Sequence, residues 1–535
     1  MHLRLLLAIF LLLSGCSAAL PESSKSHSPK KALGTPSFFL EQSYQFSRDL
    51  VTPERAILLN FLSRTAAEHH LACTSAWAQE NLLLARQLPM DWNRLAIEKN
   101  ALVALSYVKP RRAMTLLRSM DLPVSDGVGF PEDVRSDAAT IIFKNYWDAF
   151  KTKGFSDLRS EAMYLGQTGQ YPYRAIRGTI ADLAAAPPKQ PGPLSPAAQS
   201  LVLDAYSSYQ HGSKFQIEDD DFVEFLKTLR PILPASLFRQ GLELAVDRLL
   251  DRDRQSDQQT YLAHVQTESG TATFHRRQEK LLFELLPLLR ETDPDWAAQI
   301  VHRDPTLGQA AGNSGKEITS EGVVNPGGTE PVGEQSYGLE QGRAQAAGEL
   351  AQTNPEAALL LAQSISNPTL RAVALANIAN TIGPSAPSRA RALERSIDDS
   401  LATLKDGEDR LLALSALVRA AAAAGDVPAS REALNKCFAL GVELFEEDVD
   451  AHPEKSTYAT PAYNILDEVI KSAASLEPAI IASKVDQIRN VALKAYLLHS
   501  LAELLYIEGK ALVVPDQRQT KSKRNPRDRP TVAQE

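Results

Sequence analysis

The 27 residues from Thr353 to Ala379 return, without a gap, from Leu476 to Ala502, 123 residues later. Seven positions are identical: Pro355/Pro478, Ile365/Ile488, Asn367/Asn490, Leu370/Leu493, Ala372/Ala495, Leu375/Leu498 and Ala379/Ala502. The physical pattern matters more than the count. Each copy places Pro where the first turn of a helix tolerates a missing N–H, and apolar residues follow at helical spacing. A second helix starts near the Asn, with Leu370, Leu375 and Ile378 in one copy and Leu493, Leu498 and Leu501 in the other forming a stripe to be buried. Each copy therefore reads as an antiparallel helical hairpin whose core residues are Ile365, Leu370 and Leu375, or Ile488, Leu493 and Leu498.

Looser echoes occur elsewhere. In "KPRRAMTLLRSM" Met120 follows Pro110 by ten residues, as Ile365 follows Pro355, and Ile397 follows Pro387 by the same interval. These hairpins resemble TPR-like or HEAT-like α-solenoid repeats. The resemblance covers Gly342 to Gly509 and, more loosely, Pro53 to Asp121. The chain departs from strict TPR units, which keep a 34-residue period and a Trp, Gly and Tyr framework. The resemblance implies stacked hairpins with a concave surface that holds proteins or peptides. Almost nothing alternates with period two, so the expected class is all-α, in two or three helical blocks joined by disordered linkers.

The N-terminus carries an address. "MHLRLLLAIFLLLSGCSAAL" has one Arg near its start and an apolar run from Leu5 to Leu13, too short to span a bilayer and suited to the h-region of an export signal. The following Leu13-Ser14-Gly15-Cys16 resembles a bacterial lipobox. That resemblance implies a signal peptide over residues 1–15 and a lipidated Cys16 as the first mature residue. The other reading is an ordinary signal peptide cut near Ala18 or Ala19. Each buried methylene contributes about 0.8 kcal/mol, so two or three acyl chains would make a stable anchor.

The net charge of -8 lacks the basic balance of a nucleic-acid binder, so no nucleic-acid partner is expected. Residues 16–37, rich in Ser, Pro and Lys, read as a flexible tether. A helical N-terminal domain is expected over 38–186, with an aromatic core stripe of Phe143, Tyr146, Trp147 and Phe150. A Pro-rich linker follows at 187–196 and a middle helical block at 197–304. The Gly-rich stretch 305–342 has no period and reads as a disordered linker. The repeat domain follows at 343–515 and a basic tail at 516–535. Cys73 and Cys437, the other two cysteines, lie in separate helical segments and are expected to remain two buried thiols.

No His-Glu-x-x-His, Cys-x-x-Cys or Gly-x-Ser-x-Gly is present, and no catalytic residue, metal site or cofactor is expected. "AAGNSGKE" lacks the first Gly and the final Ser or Thr of a phosphate loop. "SPKK" has a penicillin-binding-protein spacing without its partner motifs. His69 and His70 point about 100° apart on a helix and do not converge on a metal. Glu218, Asp219, Asp220 and Asp221 suit a helix N-terminus. The expected function is a non-catalytic, membrane-anchored envelope scaffold that binds a protein or peptide partner and holds the membrane through lipid on Cys16. The alternative is a cell-envelope enzyme, for example one acting on peptidoglycan, with catalytic residues scattered over helices.

Overall fold

The computed structural model describes residues 34–89, 92–120, 131–168, 170–185, 194–211, 216–255, 263–267, 270–303, 307, 318–322, 332–405, 407–473 and 478–509. Cys16, the expected signal, most of the expected tether and the tail 516–535 lie outside the described residues, as do 186–193 of the Pro-rich stretch.

Helices dominate. The first half contains α1 (Pro36–Ser47), α2 (Thr52–Glu68), α3 (Thr74–Ala85), α4 (Trp92–Ser106), α5 (Pro110–Leu117), α6 (Pro131–Phe150), α7 (Phe155–Gln167), α8 (Tyr173–Ala185), α9 (Pro196–His211), α10 (Gln216–Leu229) and α11 (Ala235–Gln255). Strands β1 (Ala263–Thr267) and β2 (Gly270–Phe274) precede α12 (Arg277–Thr292) and α13 (Pro294–Arg303). After β3 (Ile318–Gly322) come α14 (Val332–Leu350), α15 (Pro355–Gln363), α16 (Pro368–Ile382), α17 (Pro387–Leu401), α18 (Glu408–Ala423), α19 (Val427–Ala451), α20 (Pro461–Ala473), α21 (Pro478–Gln487) and α22 (Val491–Glu508).

The two copies of the repeat share local geometry down to the cap. Pro355 opens α15 and Pro478 opens α21. Asn367 (φ -68°, ψ 119°) caps α16, and its side chain accepts the Leu370 N–H at 3.0 Å. Asn490 (φ -64°, ψ 119°) caps α22 and accepts the Leu493 N–H at 3.1 Å. A side-chain oxygen at this position satisfies a first-turn donor that has no partner within the helix. Met120, Ile365 and Ile488 are all buried just beyond a short helix opened by Pro. Ile397 is also buried, but inside the longer α17, so that echo is one of spacing only.

Even-numbered helices form a ladder. In the C-terminal half α14, α16, α18, α20 and α22 pack successively on one another. In the N-terminal half α2, α4, α6, α8, α10 and α12 do the same. The two runs join because α22 packs on both α1 and α2. The spatial order therefore starts at α14, passes through the end of the chain to its beginning, and finishes at α12, making an α-solenoid of stacked hairpins.

That order corrects the expected division into blocks. Phe39, Leu40, Leu58, Leu62 and Trp77 share one apolar core with residues from Ala344 to Leu505. Residues from Ala67 to Leu307 form the second core, which merges the expected N-terminal and middle blocks. The reason is that each end of a hairpin stack carries an apolar face that must be covered; the last repeat helix and the first helices of the chain cover one another.

The expected disordered linker 305–342 is also corrected in extent. Leu307 is buried, β3 forms within the stretch, and α14 begins at Val332. Glu340 on α14 accepts the backbone N–H groups of Ser366 (3.0 Å) and Asn367 (3.1 Å) at the start of α16. Those hydrogen bonds, led by the Ser366 hydroxyl, hold its carboxyl below the usual range.

A small antiparallel sheet, ordered β2-β1-β3, departs from the expectation that strands are improbable. Ala263 and Val265 on β1, and Ala272 and Phe274 on β2, are buried, each pair two residues apart. The period is two, but five-residue strands are too brief for it to stand out against long helical runs.

The connection from β3 to α14 constrains the array. Ten residue steps from Gly322 to Val332 span at most about 36 Å. Eleven ladder helices at 8–10 Å spacing would separate the ends of a straight stack by about 80–100 Å. The array must curve so that its ends approach. In the C-terminal half the ladder helices touch, whereas α15, α17, α19 and α21 make at most marginal contact with one another. In that half the ladder face is thus the concave one.

Candidate functional site

All six residues expected to form the repeat core are buried: Ile365, Leu370, Leu375, Ile488, Leu493 and Leu498. They lie in one core, the first three in hairpin α15–α16 and the second three in α21–α22. They shape the scaffold and leave contact with a partner to other side chains. The aromatic stripe is likewise core, with Phe143, Tyr146 and Trp147 buried and Phe150 partly so.

The features weighed as chemistry have structural partners. Glu218 and Asp219 are buried in the first turn of α10, each 3.1 Å from Arg248. Asp220 pairs with Arg277 at 2.6 Å and Asp221 with Arg174 at 2.9 Å. His69 stacks on Tyr506, ring centroids 4.0 Å apart. Cys73 and Cys437 form no disulfide, and burial pushes the Cys437 thiol up to about 12. Among the described residues no group of three or more His, Cys, Asp or Glu could hold a metal ion.

The concave face carries a polar row that the sequence reading missed. Arg419 on α18 lies 3.5 Å from the Asn377 side-chain oxygen on α16 and 3.0 Å from the Glu468 carboxylate on α20. Its Nε is buried without a hydrogen-bond partner. Beside it is a hollow of about 350 Å³ lined by Asn380, Arg419, Ala422, Ala423, Lys471 and Ser472. Lys471 pairs with Asp467 at 2.8 Å. Further along the ladder, Glu503 on α22 pairs with Arg64 on α2 at 3.4 Å, so the charged row continues past the joint between the two halves.

Close packing sets this geometry. A Cβ on Gly383, at the end of α16, would lie 2.4 Å from the Ala423 carbonyl oxygen. Only glycine lets α16 approach the end of α18 this closely, and the approach brings Asn380 beside Ala422 and Ala423. The arrangement suits an extended polypeptide: amides such as Asn377 and Asn380 both donate and accept, as a peptide backbone requires, and Arg419 and Lys471 offer charged donors. The intervals from Asn377 to Arg419 and Glu468 vary with helix length, so no fixed period marks them in the sequence.

No protein-family model matches the chain. No curated protein matches it either. Among solved structures, it matches a crystal structure of Rap protein complexed with competence and sporulation factor, at 10% identity over 89% of this chain and 98% of that one. The TM-score of 0.18 is too low for the likeness to carry an argument.

Proposed function

We propose that the protein is a non-catalytic scaffold, anchored in the cell envelope by lipid on Cys16, that holds protein or peptide partners on its concave ladder face. The observation that carries this reading is the row Asn377–Arg419–Glu468 beside a polar hollow whose lining amides and cations can meet a peptide backbone. The lipobox-like tetrapeptide ending in Cys16 supports the address.

The test compares the parent with Asn380→Ala and Arg419→Gln in cross-linking from detergent-solubilised envelopes. A defined partner captured by the parent and lost from both variants supports the reading; capture unchanged in both removes the ladder face as the site. For the anchor, Cys16→Ser should move the protein from membrane to soluble fractions, and unchanged fractionation with an unchanged N-terminal mass would refute it.

A further inference from the structure

The segment Lys109 to Leu116 forms a second, chemically different surface. Val108, Pro110, Leu116 and Phe150 line an apolar hollow of about 620 Å³ between the start of α5 and the end of α6. Val108 is 38% exposed and the adjacent Tyr107 is 42% exposed, so apolar side chains face solvent here.

Charge defines the rim. Lys109, Arg111 and Arg112 all border the hollow. Arg111 is engaged: it pairs with Asp157 at 2.9 Å, and its guanidinium lies 5.0 Å from the Phe150 ring centroid. Lys109 and Arg112 are exposed and form no ion pair among the described residues. An apolar floor with two uncommitted cations at its edge is complementary to a large apolar side chain flanked by carboxylates.

We propose that this hollow docks an acidic peptide segment of a partner protein, with one aromatic or large aliphatic side chain in the hollow and its neighbouring carboxylates at Lys109 and Arg112. The volume suits one or two side chains, within the usual range for binding pockets. The openness of the site favours a macromolecular occupant, because a partner's surface closes the hollow over the inserted side chain; a free acyl chain would be left exposed on one side. The hollow shares no lining residue with the polar row of Asn377, Arg419 and Glu468 and stands independently of the role proposed there.

The experiment titrates the full chain with the blocked peptide Glu-Asp-Phe-Asp-Glu by isothermal calorimetry. Its comparators are the same peptide with Ala for Phe and the neutral peptide Gln-Asn-Phe-Asn-Gln. Both comparators should bind about tenfold or more weakly, since each removes one half of the recognition. Binding of the acidic peptide should weaken with added salt. Lys109→Gln combined with Arg112→Gln, and separately Val108→Asp, should each reduce affinity about tenfold; these positions are exposed, so the fold tolerates the changes. Arg419→Gln should leave this binding unchanged, which separates its failure from failure of the ladder-face reading.

Equal binding of the acidic and neutral peptides, or none at about 1 mM peptide, overturns the proposal. It is also overturned if sodium decanoate binds in place of the peptide, showing a small amphiphile as occupant. Sedimentation showing self-association that Val108→Asp abolishes would instead assign the hollow to a second copy of the chain.

Discussion

Glu54 and Thr457 are separated by 403 residues in sequence, and the Glu54 carboxylate accepts the Thr457 backbone N–H at 2.8 Å. Around this bond, the Tyr496 hydroxyl donates to the Glu54 carbonyl at 3.3 Å, the Ser43 hydroxyl to the Ala495 carbonyl at 2.7 Å, and Thr65 meets His499 at 2.9 Å. These contacts tie the first helices of the chain to its last repeat.

Removing the acceptor should weaken this joint. Glu54→Ala leaves the Thr457 N–H buried and unpaired, which costs about 1–3 kcal/mol. Glu54→Gln keeps an oxygen in place and should cost less. Urea unfolding midpoints of the two variants against the parent check the order; equal midpoints for parent and Glu54→Ala would show that the bond contributes nothing.

The joint should also be sensitive to acid. Burial lowers the His499 pKa from 6.5 to about 4, opposed by Glu503 and Asp467 and reinforced by Arg64 and Lys471. The unfolded chain then binds a proton near 6.5 that the folded chain refuses, so this contribution to stability is whole above pH 6.5 and is lost as pH falls toward 4. Glu54 acts in the opposite sense: burial raises its pKa, so protonation on acidification relieves a penalty. The His499 part is isolated by comparison with His499→Phe. The parent should lose stability more steeply than the variant between pH 6.5 and 4, by up to about 3 kcal/mol; parallel pH profiles would exclude the effect.

Truncating Ile365 or Ile488 to Ala removes comparable buried volume and should cost about 2–5 kcal/mol. Exposed Lys405 should tolerate change within about 0.5 kcal/mol. In a stack of hairpins the damage is local, so hydrogen exchange should show protection lost around the altered hairpin first. Unchanged protection in both variants would mean that these positions are not equivalent core sites.

The two matched caps offer a finer comparison. Asn367→Ala and Asn490→Ala should each cost about 0.5–2 kcal/mol, and Asp at either position should recover most of the loss because its carboxylate accepts the same N–H. Unequal costs in thermal unfolding would show that the copies share sequence but not energetic context.

What the sequence determined by itself was local. Pro at first turns, Asn before Leu370 and Leu493, and apolar spacing specify helices, caps and buried stripes through interactions within a few residues, so the hairpins and their core positions were legible. The brief alternation in β1 and β2 was local as well, but too short to stand out beside the helices. Tertiary structure decided the order of the stack and the location of the sites. The pairing of α22 with α1 and α2 depends on two end faces separated by most of the chain, and no neighbouring residue records that match. Asn377, Arg419 and Glu468 meet because successive ladder helices present one side to the concave surface. Side-chain facing follows from how helices rotate and pack against one another, a property of the assembled array that periodicity within any single helix leaves open.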